Sequence, residues 1–196
     1  MNTRAEKCCI LGGAIACAVV FLAGWASGLN AGKNVKTGHE TAVHPDAGDT
    51  HPGGPIGYRA PAWQLSERTL SLLVRHGFEY SSNMMDRLRP YLHAPLEGTR
   101  LVEIPVSWVL DDAPFFMFTG QRAMQPPGPV LQGWLTELDG ITESGGVTNF
   151  TFHPQIIGRP SRFACLKELV EHARRTPKLW LARLDQIAAH ARTALA

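Results

Sequence analysis

Residues 145–174 read Gly-Gly-Val-Thr-Asn-Phe-Thr-Phe-His-Pro-Gln-Ile-Ile-Gly-Arg-Pro-Ser-Arg-Phe-Ala-Cys-Leu-Lys-Glu-Leu-Val-Glu-His-Ala-Arg, and the change of period within them decides the fold class. Gly145 to His153 is rich in β-branched and aromatic residues, is opened by glycines and is stopped by Pro154, which predicts a strand. From Ser161 to Arg174 the apolar residues Phe163, Leu166, Val170 and Ala173 recur at helical spacing and predict a helix. The same alternation continues on both sides. Val130 to Leu138 predicts a helix, Leu179 to Ala182 a short strand, and the chain from about Leu184 a last helix. Upstream, Ser66 to His76 predicts a helix with Ser66 as N-cap and Gly77 just past its end. Phe78 to Ser82 predicts a strand, and so does Leu101 to Val109, where Val102, Ile104 and Val106 alternate. Asp111 to Pro129 reads as irregular and carries the apolar run Phe115-Phe-Met-Phe118. Strands alternating with helices of this length predict an α/β fold with a mainly parallel sheet or barrel.

The chain has 196 residues, of which 44% are hydrophobic, enough for one domain with a real core, or one domain plus an appendage. A net charge of +2 and a pI near 8.4 argue against a nucleic-acid surface. Cys8, Cys9 and Cys17 share one apolar stretch and Cys165 stands alone. That spacing suits neither a disulfide framework nor a zinc site. Nothing in the sequence sets an oligomeric state.

The amino end supports two expectations. The 25 residues between Lys7 and Lys33 are uncharged, long enough to span a bilayer, with Arg4 and Lys7 as the basic flank. On that reading residues 8–29 are a signal or membrane anchor, and the protein is exported or anchored. The alternative is a buried strand of a parallel sheet, because Ala18-Val-Val-Phe-Leu22 is also the continuous apolar run such strands show, and the protein is then cytoplasmic. Residues 28–57, rich in Gly, Asn, Asp, Pro and His, read as a linker or long loop.

Three segments carry chemistry. In Gly57-Tyr-Arg-Ala-Pro-Ala-Trp63 the proline restricts the residue before it to extended backbone, so Arg59 presents a rigid guanidinium beside Trp63. In Thr151-Phe-His-Pro154 His153 ends a strand, and carboxyl ends of strands are where α/β barrels place reactive groups. In Glu103-Ile-Pro-Val-Ser-Trp-Val-Leu-Asp-Asp112 a strand delivers Trp108 and then Asp111 and Asp112, a pair that orients a histidine or solvates a turn.

In this order and spacing the three segments resemble the polysaccharide deacetylases of the carbohydrate esterase class, in particular the peptidoglycan-deacetylase-like and allantoinase-like branch. The likeness runs from Gly57 to about Ile187. It implies a distorted, incomplete (β/α) barrel and a metal-dependent hydrolase of non-peptide C–N bonds. The reaction implied is removal of N-acetyl groups from a glycan, or opening of a cyclic amide. In such proteins a divalent metal, often zinc, is held by one Asp and two His and binds the attacking water; a second Asp is the base. Arg59 resembles the arginine that orients the base, and His153 the acid that protonates the leaving amine. Trp63, Trp108, Asp111 and Asp112 fall on the substrate pocket.

The sequence also departs from that pattern. The family's Thr-Phe-Asp-Asp motif has no counterpart before Gly57, where Asp46 and Asp49 are the only aspartates. Gly38-His-Glu-Thr-Ala-Val-His44 resembles the first half of the metal motif, which makes His44 the first ligand, but Gly48 stands where the second histidine belongs and His51 comes later. The organisation expected is an apolar leader or remnant core strand over 1–37, a loop with a partial metal motif over 38–57, and a deacetylase-like domain, truncated at its amino end, over 58–196. A catalytically dead relative that binds saccharide without turnover is the alternative to an active hydrolase. Since a catalytic zinc needs three preorganised protein ligands, the purified full chain is expected to keep far less than one equivalent of zinc after dialysis. About one equivalent by elemental analysis contradicts the expectation.

Overall fold

The computed structural model describes residues 16–22, 55–118, 120 and 123–196. Two small sheets carry the architecture. In the first, β1 (Ala16–Leu22) lies between β6 (Val147–Phe152) and β7 (Leu179–Leu181), all parallel, with Cys17 opposite Val147 and Trp180. In the second the order is β2 (Gly57–Tyr58), β3 (Tyr80–Ser81), β5 (Val102–Glu103) and β4 (Tyr91–Leu92); only β4 runs antiparallel. The helices are α1 (Thr69–Arg75), α2 (Ala113–Phe116), α3 (Pro127–Ser144), α4 (Pro154–Ile157), α5 (Pro160–Arg175) and α6 (Leu184–Leu195). This is an α/β protein with mainly parallel sheets.

Every residue of β6 is buried, because both faces of the strand are covered. Phe150 and Phe152 stack on each other and meet the ring of Trp134 edge-on. Val130, Trp134, Leu138 and Ile141 form one stripe of α3, and Leu166, Leu169 and Ala173 one stripe of α5, in the same core. The residues of β6 that alternate with the phenylalanines face the other way. Val147 joins a second core with Val102, Ile104 and the α6 residues Leu184, Ile187 and Ala188, while Asn149 and Thr151 face polar partners described below.

The helix ends follow from local chemistry. Pro127 and Pro160 open α3 and α5 where a missing N–H costs nothing. Gly145, at φ 73°, closes α3 in the left-handed conformation, and its N–H satisfies the carbonyls of Ile141 and Thr142. In β2, Gly57 lies against Tyr80 so closely that a Cβ would fall 1.9 Å from the ring's Cζ.

Several expectations from the sequence are corrected. The first helix starts at Thr69, not Ser66: Ser66 makes a turn in which its own N–H and hydroxyl both meet Thr69 Oγ1, so it caps nothing. Of the strand expected over 101–109 only Val102–Glu103 is regular strand, although Leu101, Ile104 and Val106 still bond through their backbones to His93, Ser81 and Met84. Pro105 lacks a ladder N–H, and Trp108–Leu110 is a single 3₁₀ turn. Phe163, placed by periodicity on the buried face of α5, is 49% exposed. Residues 113–116, read as irregular, form α2.

At the amino end, Ala16–Leu22 is a strand hydrogen-bonded on both sides. No helix among the described residues is long and apolar enough to cross a membrane. Residues 8–15 and 23–29 of the apolar stretch lie outside the described residues. A strand in the middle of a sheet is needed for folding, whereas an anchor is not. Removing residues 1–27 should therefore abolish cooperative thermal unfolding of the remainder; a sharp transition at the full chain's Tm would contradict the central placement of β1.

Candidate active site

The end of β6 is where the site forms. Asp111 pairs with Thr151 as an isolated parallel bridge, and Asp112 N–H donates to the Thr151 carbonyl at 3.1 Å. This brings the two carboxylates alongside His153, the residue that follows the strand. Asp112 then accepts twice from that histidine, at Oδ2 from the backbone N–H (3.0 Å) and at Oδ1 from Nδ1 (2.6 Å). A carboxylate so close to Nδ1 places the proton there, which leaves Nε2 without a hydrogen bond among the described residues. The His153 side chain is 16% exposed and that of Asp112 is fully buried. Asp111 Oδ1 sits 3.9 Å from Nδ1 and accepts the Ala113 N–H at 2.6 Å, which starts α2. Burial pushes both carboxyls up from their ordinary range, against the hydrogen bonds from Ala113 to Asp111 and from His153 to Asp112.

Arg59, at the end of β2, reaches across the molecule to the same strand. Its Nε donates to the Ser82 carbonyl (3.2 Å), Nη2 to Ser82 Oγ (2.7 Å) and Asn149 Oδ1 (3.0 Å), and Nη1 to Thr151 Oγ1 (3.1 Å). The guanidinium thus ties β2, the end of β3 and β6 together. Burial lowers its pKa to about 10, partly offset by the fields of Tyr80, Asp111 and Glu103. Behind it the chain turns sharply at Pro61–Trp63, where Ala62 (φ 49°) and Trp63 (φ 58°) are both left-handed without being glycine. Such strain persists only where the surroundings impose it. Its result is a buried Trp63 ring whose centroid is 4.2 Å from that of Trp108, itself 43% exposed.

The structure therefore brings Arg59, Asp111, Asp112 and His153 to one end of β6, with Trp63 and Trp108 in contact with each other. His44, Gly38, Gly48 and His51 lie outside the described residues. Sequence reasoning missed the buried polar residues Ser82, Asn83, Asn149 and Thr151. The last two carried a signal, two polar side chains at period two within a strand, on the face opposite Phe150 and Phe152.

Asp111, Asp112 and His153 are also the one group among the described residues whose ligand atoms cluster closely enough to hold a metal, all within 4.8 Å. Their hydrogen bonds argue otherwise. Nδ1 of His153 is committed to Asp112, both oxygens of Asp112 accept from His153, and Asp111 Oδ1 holds Ala113. A cation would have to break the Asp112–His153 bond. The cluster does not fit the one-Asp, two-His set that the resemblance implies.

Replacing Arg59 with Lys keeps the charge but cannot reproduce bonds from three guanidinium nitrogens. It leaves buried acceptors unmet, so Arg59→Lys should destabilise the protein by about 1–3 kcal/mol in urea unfolding; an unchanged midpoint would show that the guanidinium is not the tie between the two sheets.

No family model matches the chain. It is 30% identical to a curated "Peptidoglycan deacetylase" of Helicobacter pylori over 60% of this chain and 50% of that protein. A solved structure assigned to the polysaccharide deacetylases from Mycobacterium smegmatis superposes with a TM-score of 0.68 and 36% identity, over 73% of this chain and 51% of that one. Another from Pseudomonas aeruginosa PAO1 gives 0.63 and 25%, over 71% and 47%. An allantoinase shares the fold at a TM-score of 0.63 and 23% identity, over 71% and 47%. The chain spans about half the length of the relatives it matches. With its arginine, tryptophan and histidine segments gathered at one strand end, this chain is similar in sequence and in fold to the polysaccharide deacetylases.

Proposed function

We propose that this chain acts on the N-acetyl group of a glycan, with His153 as the acid that protonates the amine as the C–N bond breaks. The observation that carries the reading is the Asp112–His153 pair. With Nδ1–H donated to Asp112, a protonated imidazole offers its second proton from Nε2, the nitrogen without a hydrogen bond among the described residues. Asp112 keeps the ring oriented and stabilises its charge, Asp111 adds negative field nearby, and Arg59 fixes the strand end that carries both. The exposed face of Trp108, backed by Trp63, offers the flat apolar surface on which the C–H face of a sugar ring stacks. The name of the Helicobacter pylori relative supports a peptidoglycan-type substrate. The two sheets fit segments of an incomplete (β/α) barrel of the deacetylase type.

Water activation and oxyanion stabilisation are the work of the divalent metal in the reaction the family implies. His44, the ligand expected from the sequence, lies outside the described residues, and the commitment of Asp112 and His153 to each other is the observation behind a second reading, saccharide binding without turnover.

Both readings are tested by pairing acetate release from an N-acetylglucosamine oligomer with calorimetric binding of the same oligomer. For an active hydrolase, His153→Ala should cut acetate release by about 10²-fold or more while changing binding less than about threefold, and Trp108→Ala should weaken binding by about tenfold. Binding without acetate release supports the second reading. Failure to bind the oligomer, or opening of a cyclic amide in its place, overturns the glycan assignment.

A further inference from the structure

Glu103 is fully buried in the middle of the second sheet and takes no part in the chemistry proposed above. Nevertheless each of its oxygens is committed. Oε1 accepts the backbone N–H groups of both Asn83 (2.6 Å) and Met84 (2.9 Å), and Oε2 meets Nε2 of His93 at 2.9 Å. His93 follows β4 and is pinned to the Leu101 carbonyl through its own N–H. The carboxylate therefore clamps the turn that leaves β3 against both β5 and the end of β4.

That turn is the seat of the arginine segment. Asn83, buried, accepts the Ala60 N–H at Oδ1 (2.7 Å) and donates from Nδ2 to the Tyr58 carbonyl (3.2 Å) and to Ser81 Oγ (2.9 Å). It thus replaces the ladder partners that β2 loses where the chain turns at Pro61. Ser82, one residue earlier, accepts from Arg59 at both its carbonyl and its hydroxyl. The backbone positions of residues 82–84 decide where the guanidinium sits, and Glu103 fixes two of those three.

We propose that Glu103 is a positioning residue for the Arg59 segment: it receives the N–H groups of Asn83 and Met84, and through Asn83 and Ser82 sets the place of Ala60 and Arg59 at the end of β6. An acceptor of carboxylate length is required there, since one oxygen must reach two adjacent backbone N–H groups while the other end meets an imidazole. Glutamine meets the same demands, with its oxygen on the amides and its NH₂ donated to His93 in the tautomer that accepts at Nε2. Methionine fills the volume and meets none of them. The inference deepens the function proposed above and rests on that reading for its consequence in catalysis, but not for its geometry.

The test is hydrogen exchange by NMR on the full chain, reading the Arg59 Nε–H and the Ala60 amide against the Leu138 amide in α3 as internal reference. In Glu103→Met both should exchange at least about tenfold faster relative to Leu138, the factor that corresponds to one lost hydrogen bond, and Glu103→Gln should stay within about threefold of wild type. A rise shared equally by Leu138, or no change at Arg59 and Ala60, overturns the proposal. Should the Met variant fail to fold, Asn83→Ala separates the links: Ala60 should lose protection while the Met84 amide, still held by Glu103, keeps it, and loss at both or neither overturns the proposal. Acetate release measured in parallel should fall with Arg59 protection in Glu103→Met and recover in Glu103→Gln. A wild type without turnover would count against the proposed hydrolysis and leave the exchange result to decide the role of Glu103.

Discussion

The site depends on one short stretch of parallel pairing, where the Asp111–Asp112 turn meets the last residues of β6. Without the Asp112 N–H on the Thr151 carbonyl, neither carboxylate would be placed beside the imidazole. With it, Asp112 holds His153 by the backbone and by the ring together, which fixes the side chain's direction as well as its position. A histidine held at one point can rotate; one held at Nδ1 while its backbone N–H binds the same carboxylate cannot.

What keeps β6 in place is its two dissimilar faces. The aromatic face is closed by Trp134, whose ring touches Phe150 and Phe152 and whose Nε1 donates to the Val109 carbonyl. That bond ties the helical layer to the turn that carries Trp108. The polar face carries Asn149 and Thr151 into the reach of Arg59. Buried polar groups are tolerated when each finds a partner. Here the guanidinium, the serine hydroxyl, the asparagine amides and the carboxylates satisfy one another across the two sheets. Among the described residues, Thr148 Oγ1 is the only buried side-chain polar atom without a partner. The network is dense enough that removing one member strands several others.

Much of the fold was legible because its long elements bury regular patterns. The strand and helix in residues 145–174 fall within a few residues of where periodicity puts them, since β6 is enclosed and α5 shows one stripe to it. Legibility failed where the chain breaks its own pattern: at Pro105, which interrupts a ladder that alternation alone would keep regular, and at Ser66, whose hydroxyl meets Thr69 instead of a helix terminus. At the site, Arg59, His153, Asp111 and Asp112 stood out through their neighbours in sequence. Glu103, His93, Ser82 and Asn83 did not, because their roles come from contacts between strands some 10 to 25 residues apart, and no local spacing encodes a bond between a side chain and a distant backbone amide. His44, the histidine read as a metal ligand, falls outside the described residues.

The central claim, that Asp112 sets the tautomer and aim of His153, is tested most directly by long-range ¹H–¹⁵N correlation NMR of the imidazoles at alkaline pH, where histidine rings are neutral. The account predicts that His153 is the Nδ1–H tautomer, with a downfield Nδ1 proton that disappears in Asp112→Ala. A His153 ring protonated on Nε2, or a spectrum unchanged by Asp112→Ala, would contradict it.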